Sequence, residues 1–331
     1  MTAISSALAP PQHIALWRTA QAVGVFATVA LLVGLVMKAE IALDVLWNIL
    51  IPLVPASLLI SPAIWRNVCP LATINMLFNR SSGGRTLTAD LMPTAGLLAM
   101  VLLGVLVPAR RFLFNTDGIA LAVTVTLVAL LALLLGAFFK DKAGFCNAIC
   151  PVLPVERLYG QHPMVRITNP RCIPCTMCTA KGCIDLAPTK SIAQTLGSTR
   201  RSNAWLMTGF GVFAAAFPGF VVGYYTTQDG PLQTAGAVYG HVAFWALGSY
   251  VATVALVLLF KAGASRAIVV LGGAAAGLYY WFAAATITTA FAIEGNATVA
   301  IRIAGLALVA AWFVRAVASS GTRNSIASVR Q

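Results

Sequence analysis

The chain has 331 residues, 59% of them hydrophobic and 9% charged, with a mean hydropathy of +0.86, and charge this sparse excludes a water-soluble globule in favour of an integral membrane protein. High apolar content excludes intrinsic disorder, and seven cysteines are too few to staple a chain of this length. A net charge of +13 would suggest nucleic acid in a soluble domain, but a nucleic-acid surface needs a water-facing domain and the longest water-facing loop is only about 60 residues, so the charge is assigned to membrane topology and no nucleic-acid partner is expected.

A helix crossing the hydrocarbon needs about 20 mainly apolar residues. In chain order the qualifying stretches are 19–37, 42–65, 91–109, 118–139, 203–227, 235–260, 267–292 and 296–314. The fold class they predict is an all-α membrane protein of about eight transmembrane helices with a cytoplasmic, cysteine-rich, ferredoxin-like loop. The first stretch follows Pro10, Pro11 and His13 and lacks a basic leader with a short apolar core, so it reads as an anchor and not a signal peptide. In the last stretch Arg302 lies near the helix start, placed to snorkel to the interface.

The organisation that follows is helices one to four over 1–139, with a first Cys-Pro loop at 66–90. A cysteine-rich segment at 140–202 precedes helices five to eight over 203–318 and a tail at 319–331. An even number of spans puts both termini on one side with the loops 66–90, 140–202 and 261–266. That side holds eighteen of the twenty-two Lys and Arg, leaving Lys38, Arg110, Arg111 and Arg302 opposite, and the positive-inside rule makes it cytoplasmic.

All seven cysteines fall in the loops after spans two and four. Disulfides rarely persist in a reducing cytoplasm, so clustered thiols there point to metal or redox chemistry. The run Cys172-Ile173-Pro174-Cys175-Thr176-Met177-Cys178 repeats a thiol at every third residue. A loop so spaced can wrap three corners of an iron-sulfur cubane, leaving the fourth iron to a remote cysteine. Structural zinc is the alternative, but it usually takes two separate Cys-x2-Cys knuckles, which this run supplies only by sharing its middle cysteine.

A second pattern is Cys146-Asn147-Ala148-Ile149-Cys150-Pro151, the Cys-x3-Cys-Pro tail of bacterial ferredoxin runs. It has an earlier echo. Aligning Cys69-Pro70 on Cys150-Pro151 superposes Leu71, Ile74, Leu77 and Phe78 on Val152, Val155, Leu158 and Tyr159, with Trp65 in the place of Cys146. The offsets predict, in each copy, a short amphipathic helix lying on the membrane surface with proline in its first turn. A helical hairpin followed by a Cys-Pro turn and a short helix is thus duplicated.

These motifs resemble the polytopic iron-sulfur proteins of the NapH and NosR type, over roughly residues 40–190. The resemblance implies electron transfer at a bacterial inner membrane, from quinol or a soluble donor toward a partner reductase or maturation system. It implies that Cys172, Cys175 and Cys178 match the ferredoxin run while Cys146, Cys150 and Cys69 match the Cys-Pro loops. The family pattern has two ferredoxin runs, whereas this chain has one, ending in Cys178-x4-Cys183 without a following proline. Two complete 4Fe-4S clusters need eight cysteines. The preferred assignment gives one cluster to Cys172, Cys175, Cys178 and Cys150, leaving Cys183, Cys146 and Cys69 for a second, incomplete site. His162 is the nearest candidate for the gap, an ordinary loop histidine being the simpler reading.

Spans five to eight carry no cysteine. A bis-histidine haem is excluded because His241 is the one intramembrane histidine candidate. Tyr224, Tyr225, Tyr239, His241, Tyr279, Tyr280 and Trp281 suggest either a quinone pocket or an aromatic belt, and Gly272, Gly273 and Gly277 suit helix packing. Glu156 and Asp185, the carboxylates nearest the cysteines, read as caps or salt-bridge partners, and no nucleophile, phosphate loop or metalloprotease motif is present. The function expected is membrane-bound electron transfer between a cytoplasmic donor or the quinone pool and a membrane acceptor. Lys140, Lys142, Arg157, Arg166, Arg171, Lys181 and Lys190 would suit an acidic ferredoxin or flavodoxin, or anionic lipid. The alternatives are a lipid or quinone reductase fed by the cluster and a zinc-binding or redox-sensing assembly factor.

Overall fold

The computed structural model describes residues 11–77, 89–139, 142, 144–165, 196, 199 and 202–328. Among these the long elements are helical. Eight are long and apolar enough to cross a bilayer, namely Ala15–Met37, Ala39–Ile60, Met92–Phe114, Gly118–Phe138, Gly209–Thr226, Leu232–Phe260, Ala264–Ala290 and Ala297–Ala318. The chain is a multi-pass, all-helical membrane protein.

The helices are α1 (Pro11–Met37), α2 (Ala39–Val45), α3 (Ile51–Ile60), α4 (Pro62–Val68), α5 (Pro70–Asn75), α6 (Met92–Ala109), α7 (Gly118–Phe138), α8 (Leu153–Tyr159), α9 (Gly209–Thr226), α10 (Ala235–Phe260), α11 (Ala264–Ala290) and α12 (Ala297–Ser328). A π turn at Leu46–Leu50 joins α2 to α3 as the second span, and another at Arg110–Phe114 extends α6 just beyond Pro108, where the missing proline N–H interrupts the helical ladder.

Apolar surface covers these helices all round. Phe26, Leu127, Phe244 and Leu259 face outward where acyl chains would lie. With lipid as apolar as the core, close packing and polar contacts must hold the helices together. A Cβ at Gly219 would meet the Trp245 carbonyl oxygen at 2.0 Å, which is how closely α9 and α10 approach. Gly272 lies under Trp312 and Gly273 under Phe313, so this pair seats α12 on α11. Helices α9 and α11 are the most enclosed, and α8 packs against both.

The second span ends earlier than its apolar run. Instead of continuing to residue 65, helix α3 stops at Ser61, whose backbone is extended (φ −165°, ψ 122°) because Pro62 disfavours the helical region in the residue before it. The same device acts again at Cys69 (φ −58°, ψ 121°) before Pro70. Two proline starts therefore cut the chain into α4 and α5. The fifth span likewise starts later than residue 203. A short 3-10 turn at Asn203–Met207 precedes Thr208, whose hydroxyl caps α9 by accepting from the Gly211 amide at 3.1 Å.

The duplicated unit reappears as reciprocal packing. Helix α5 rests on α1, the first helix of its own hairpin, and on α7, the second helix of the other. Helix α8 rests on α6 and α3, the corresponding pair. Neither short helix matches the expectation of an amphipathic helix lying on the membrane surface. All seven residues of α8 are buried, because its apolar positions face α3, α11 and α9 from every side. In the first copy α5 ends at Asn75 and leaves Leu77 exposed, whereas the aligned Leu158 is fully buried.

The contact between α5 and α7 is close enough to test. Asn75 donates from Nδ2 to the Ala132 carbonyl at 2.7 Å, and a Cβ at Gly136 would stand 1.8 Å from the Asn75 carbonyl oxygen. Gly136→Leu should destabilise the protein by about 1–3 kcal/mol through overpacking, read by thermal unfolding in detergent, while the same change at Gly104, where a Cβ meets nothing within 4 Å, should leave the midpoint nearly unchanged.

Candidate functional site

The two Cys-Pro turns meet. Cys69 and Cys146 are buried in one apolar cluster with Ala72, Ala132 and Phe145, against which Trp65, Leu71, Ile149 and the half-buried Cys150 pack. Trp65, the residue aligned with Cys146, thus covers the site without supplying a donor. All three thiols are free. Cys69 sits at the N-cap of α5. The Phe145 carbonyl accepts the amides of Ala148, Ile149 and Cys150, each at 3.1 Å, and this tight turn brings Cys146 and Cys150 to the same end of the bundle.

Backbone amides favour the charged form of two of the sulfurs. Those of Leu71 and Ala72 act on Cys69 and that of Val152 on Cys150, as expected where unpaired donors open a helix. Burial nevertheless dominates. It pushes the Cys69 thiol up, Cys146 up to about 12 and Cys150 well above the usual thiol range, while Lys142 and Arg66 pull Cys146 back down. Each thiol is favoured in its neutral form, so binding a cation here would release protons.

A buried ion pair ties the two turns together. Arg66, three residues before Cys69, donates from Nε and Nη2 to the two oxygens of Glu156 on α8, the second bond at 3.2 Å. Its Nη1 donates to the Asn147 side chain at 2.6 Å, between Cys146 and Cys150. The Lys142 ammonium donates to the Arg66 carbonyl at 2.9 Å. Arg66, Asn147 and Glu156 are all buried. The salt-bridge role expected of Glu156 holds, but its partner was not anticipated. The signal was present in the repeat, since Arg66 and Asn147 occupy the same offset from their cysteines.

Two members of the proposed docking loop turn inward. Lys142 and Arg157 are buried and do not present charge to a soluble partner. Lys140, Arg166, Arg171, Lys181 and Lys190 lie outside the described residues, as do Asp185 and the cysteines Cys172, Cys175, Cys178 and Cys183. The described chain before that segment is held to α3 and α12. The Met164 and Val165 amides donate to the Leu59 and Ile60 carbonyls at the end of α3, and Arg315 Nε donates to the Pro163 carbonyl at 3.0 Å. His162 is half-buried in the turn after α8.

At the opposite end, Arg110 lies over the Trp47 ring and donates to Tyr224 Oη at 2.9 Å, while Arg111 pairs with Asp229 at 2.8 Å. The aromatic residues of spans five to seven are engaged within the protein. Tyr239 donates to the Val105 carbonyl, Tyr280 to the Pro52 carbonyl, and His241 meets the Thr226 hydroxyl. Arg302 reaches back to the Trp281 carbonyl and lies 4.3 Å from that ring's centre, so this cation at the start of the last span is held by an aromatic face.

No family model, curated protein or solved structure matches the chain. The site therefore stands on its chemistry. Three thiols with amide donors at two of them and two cations nearby suit a thiolate-bound metal centre. Among the described residues, however, no group of three His, Cys, Asp or Glu side chains is placed to hold a metal ion. Cys69, Cys146 and Cys150 are brought into one cluster, and that grouping is what the structure shows of the cysteines.

Proposed function

We propose that this chain is a membrane-bound iron-sulfur electron-transfer protein of the NapH and NosR type, with its cysteines on the cytoplasmic face of a bacterial inner membrane. The observation that carries the reading is the meeting of the buried Cys69 and Cys146 with the half-buried Cys150 in one cluster. Two Cys-Pro turns far apart in sequence converge here, which suits them to supply remote ligands to a three-cysteine run.

Cys172, Cys175 and Cys178 would hold a 4Fe-4S group together with Cys150, the least buried of the three described thiols, while Cys69, Cys146 and Cys183 would serve a second site. When bound, such a group supplies reversible one-electron chemistry. The residues around it do the rest. Amides of Leu71, Ala72 and Val152 stabilise negative charge on sulfur, Trp65 and Phe145 exclude water, and the eight spans hold the centre at the bilayer, within reach of a lipid-soluble or protein acceptor.

The electron donor is proposed to be an acidic soluble carrier of the ferredoxin or flavodoxin class, drawn by Lys140, Arg166, Arg171, Lys181 and Lys190. The rate of reduction by such a carrier should fall steeply from about 50 to 500 mM salt, because exposed charges are screened over about 10 Å at 0.1 M ionic strength. A rate independent of ionic strength in stopped-flow measurements would dismiss this donor and leave the quinone pool.

A further inference from the structure

Away from the cysteines, a groove of about 330 Å³ runs between α1 and α7 on the outside of the bundle, lined by Leu32, Val36, Ile119, Val123, Thr126 and Leu127. From Ile119 to Leu127 it extends about 12 Å along α7, at about 1.5 Å per residue. The hydroxyl of Thr126 donates to the Ala122 carbonyl at 2.8 Å, so this wall offers little to water and suits an acyl chain. At the Ile119 end the groove reaches the turn between α1 and α2, where a Cβ on Gly118 would stand 2.8 Å from that of Ala39. There Lys38, Ala39, Glu40 and Ile41 line a second hollow. Lys38 and Glu40 are exposed, and among the described residues neither side chain makes an ion pair.

We infer that this corner of the bundle binds one phospholipid with a zwitterionic, amine-bearing headgroup, of the phosphatidylethanolamine class. One acyl chain lies along α1 and α7, Lys38 meets the phosphate and Glu40 meets the ammonium. A cation and a carboxylate two residues apart complement a headgroup that carries both signs, whereas a purely anionic headgroup is repelled by Glu40. The turn also stands at the right level. It joins the end of the first span at Met37 to the start of the second at Ala39, where the hydrocarbon gives way to headgroups. The site shares no residue with the cysteine cluster and stands whether or not that cluster binds iron.

The test is native mass spectrometry of the full chain in mild detergent, titrated with dioleoyl phosphatidylethanolamine or with dioleoyl phosphatidylglycerol. The ethanolamine lipid should bind about two- to fivefold more tightly, the weight of one exposed ion pair. Glu40→Gln should erase that preference, and Lys38→Gln should weaken both lipids by a similar factor. Thr126→Trp should displace the bound lipid, while Leu259→Trp on α10 should not. All four side chains are exposed, so each variant is expected to fold. Equal affinity for the two lipids, or retention unmoved by Glu40→Gln and Thr126→Trp, means a non-specific lipid annulus and overturns the inference. A dimer that dissociates in Thr126→Trp assigns the groove to a second copy of the chain and overturns it as well.

Discussion

Arg66→Ala should cost about 3–5 kcal/mol of stability, the range for removing one partner of a buried ion pair and leaving the other charge uncompensated. Arg66 and Glu156 are each nearly inaccessible to solvent, with side chains 2% and 4% exposed, so the pair is made away from bulk water. Asn147 would lose a partner in the same stroke. The expected result is little folded protein at ordinary expression temperature and a sharply lower unfolding midpoint in detergent. Arg66→Met combined with Glu156→Leu should recover most of the loss, since an apolar pair of similar volume often equals a buried ion pair in stability. A mild effect of the single change, comparable with that of an exposed surface pair, would contradict the buried clamp.

Cys175→Ser should abolish the iron-sulfur signal. A serine oxygen in the middle of a three-cysteine run removes the ligand that both neighbours frame, and thiolate ligation is what such clusters require. The change is expected to remove most of the bound iron and sulfide and to leave the membrane bundle folded, because the close helix contacts at Gly219 and Gly136 are made with Trp245, Ser249 and Asn75 and not with that run. Cys69→Ser is the informative comparison. If the first Cys-Pro turn serves a second site, this variant should keep the main signal and lose only additional iron. Identical loss in both variants would merge the two sites into one.

The bundle was readable from composition because a bilayer imposes a length and an apolar requirement that no soluble core matches. Its breaks were less so. The apolar run through Trp65 conceals the interruption at Ser61, although Pro62 and Pro70 mark both breaks. Alignment of Cys69 with Cys150 revealed the repeat, and the reciprocal seating of α5 and α8 agrees with it. The depth of α8 was not legible, since a helix with an apolar face reads alike on a membrane surface and against a protein core. Lys142 and Arg157 misled for a related reason. Lysine and arginine are rarely buried unless paired, and Lys142 finds its acceptor at the Arg66 carbonyl, far away in sequence.

The central claim is that the cysteine-rich face carries inorganic sulfide and iron. Protein purified without air should be brown, contain about four irons per chain for one cluster or about eight for two, release a matching amount of acid-labile sulfide, and give an EPR signal on reduction. Colourless protein containing zinc and no sulfide would contradict the account.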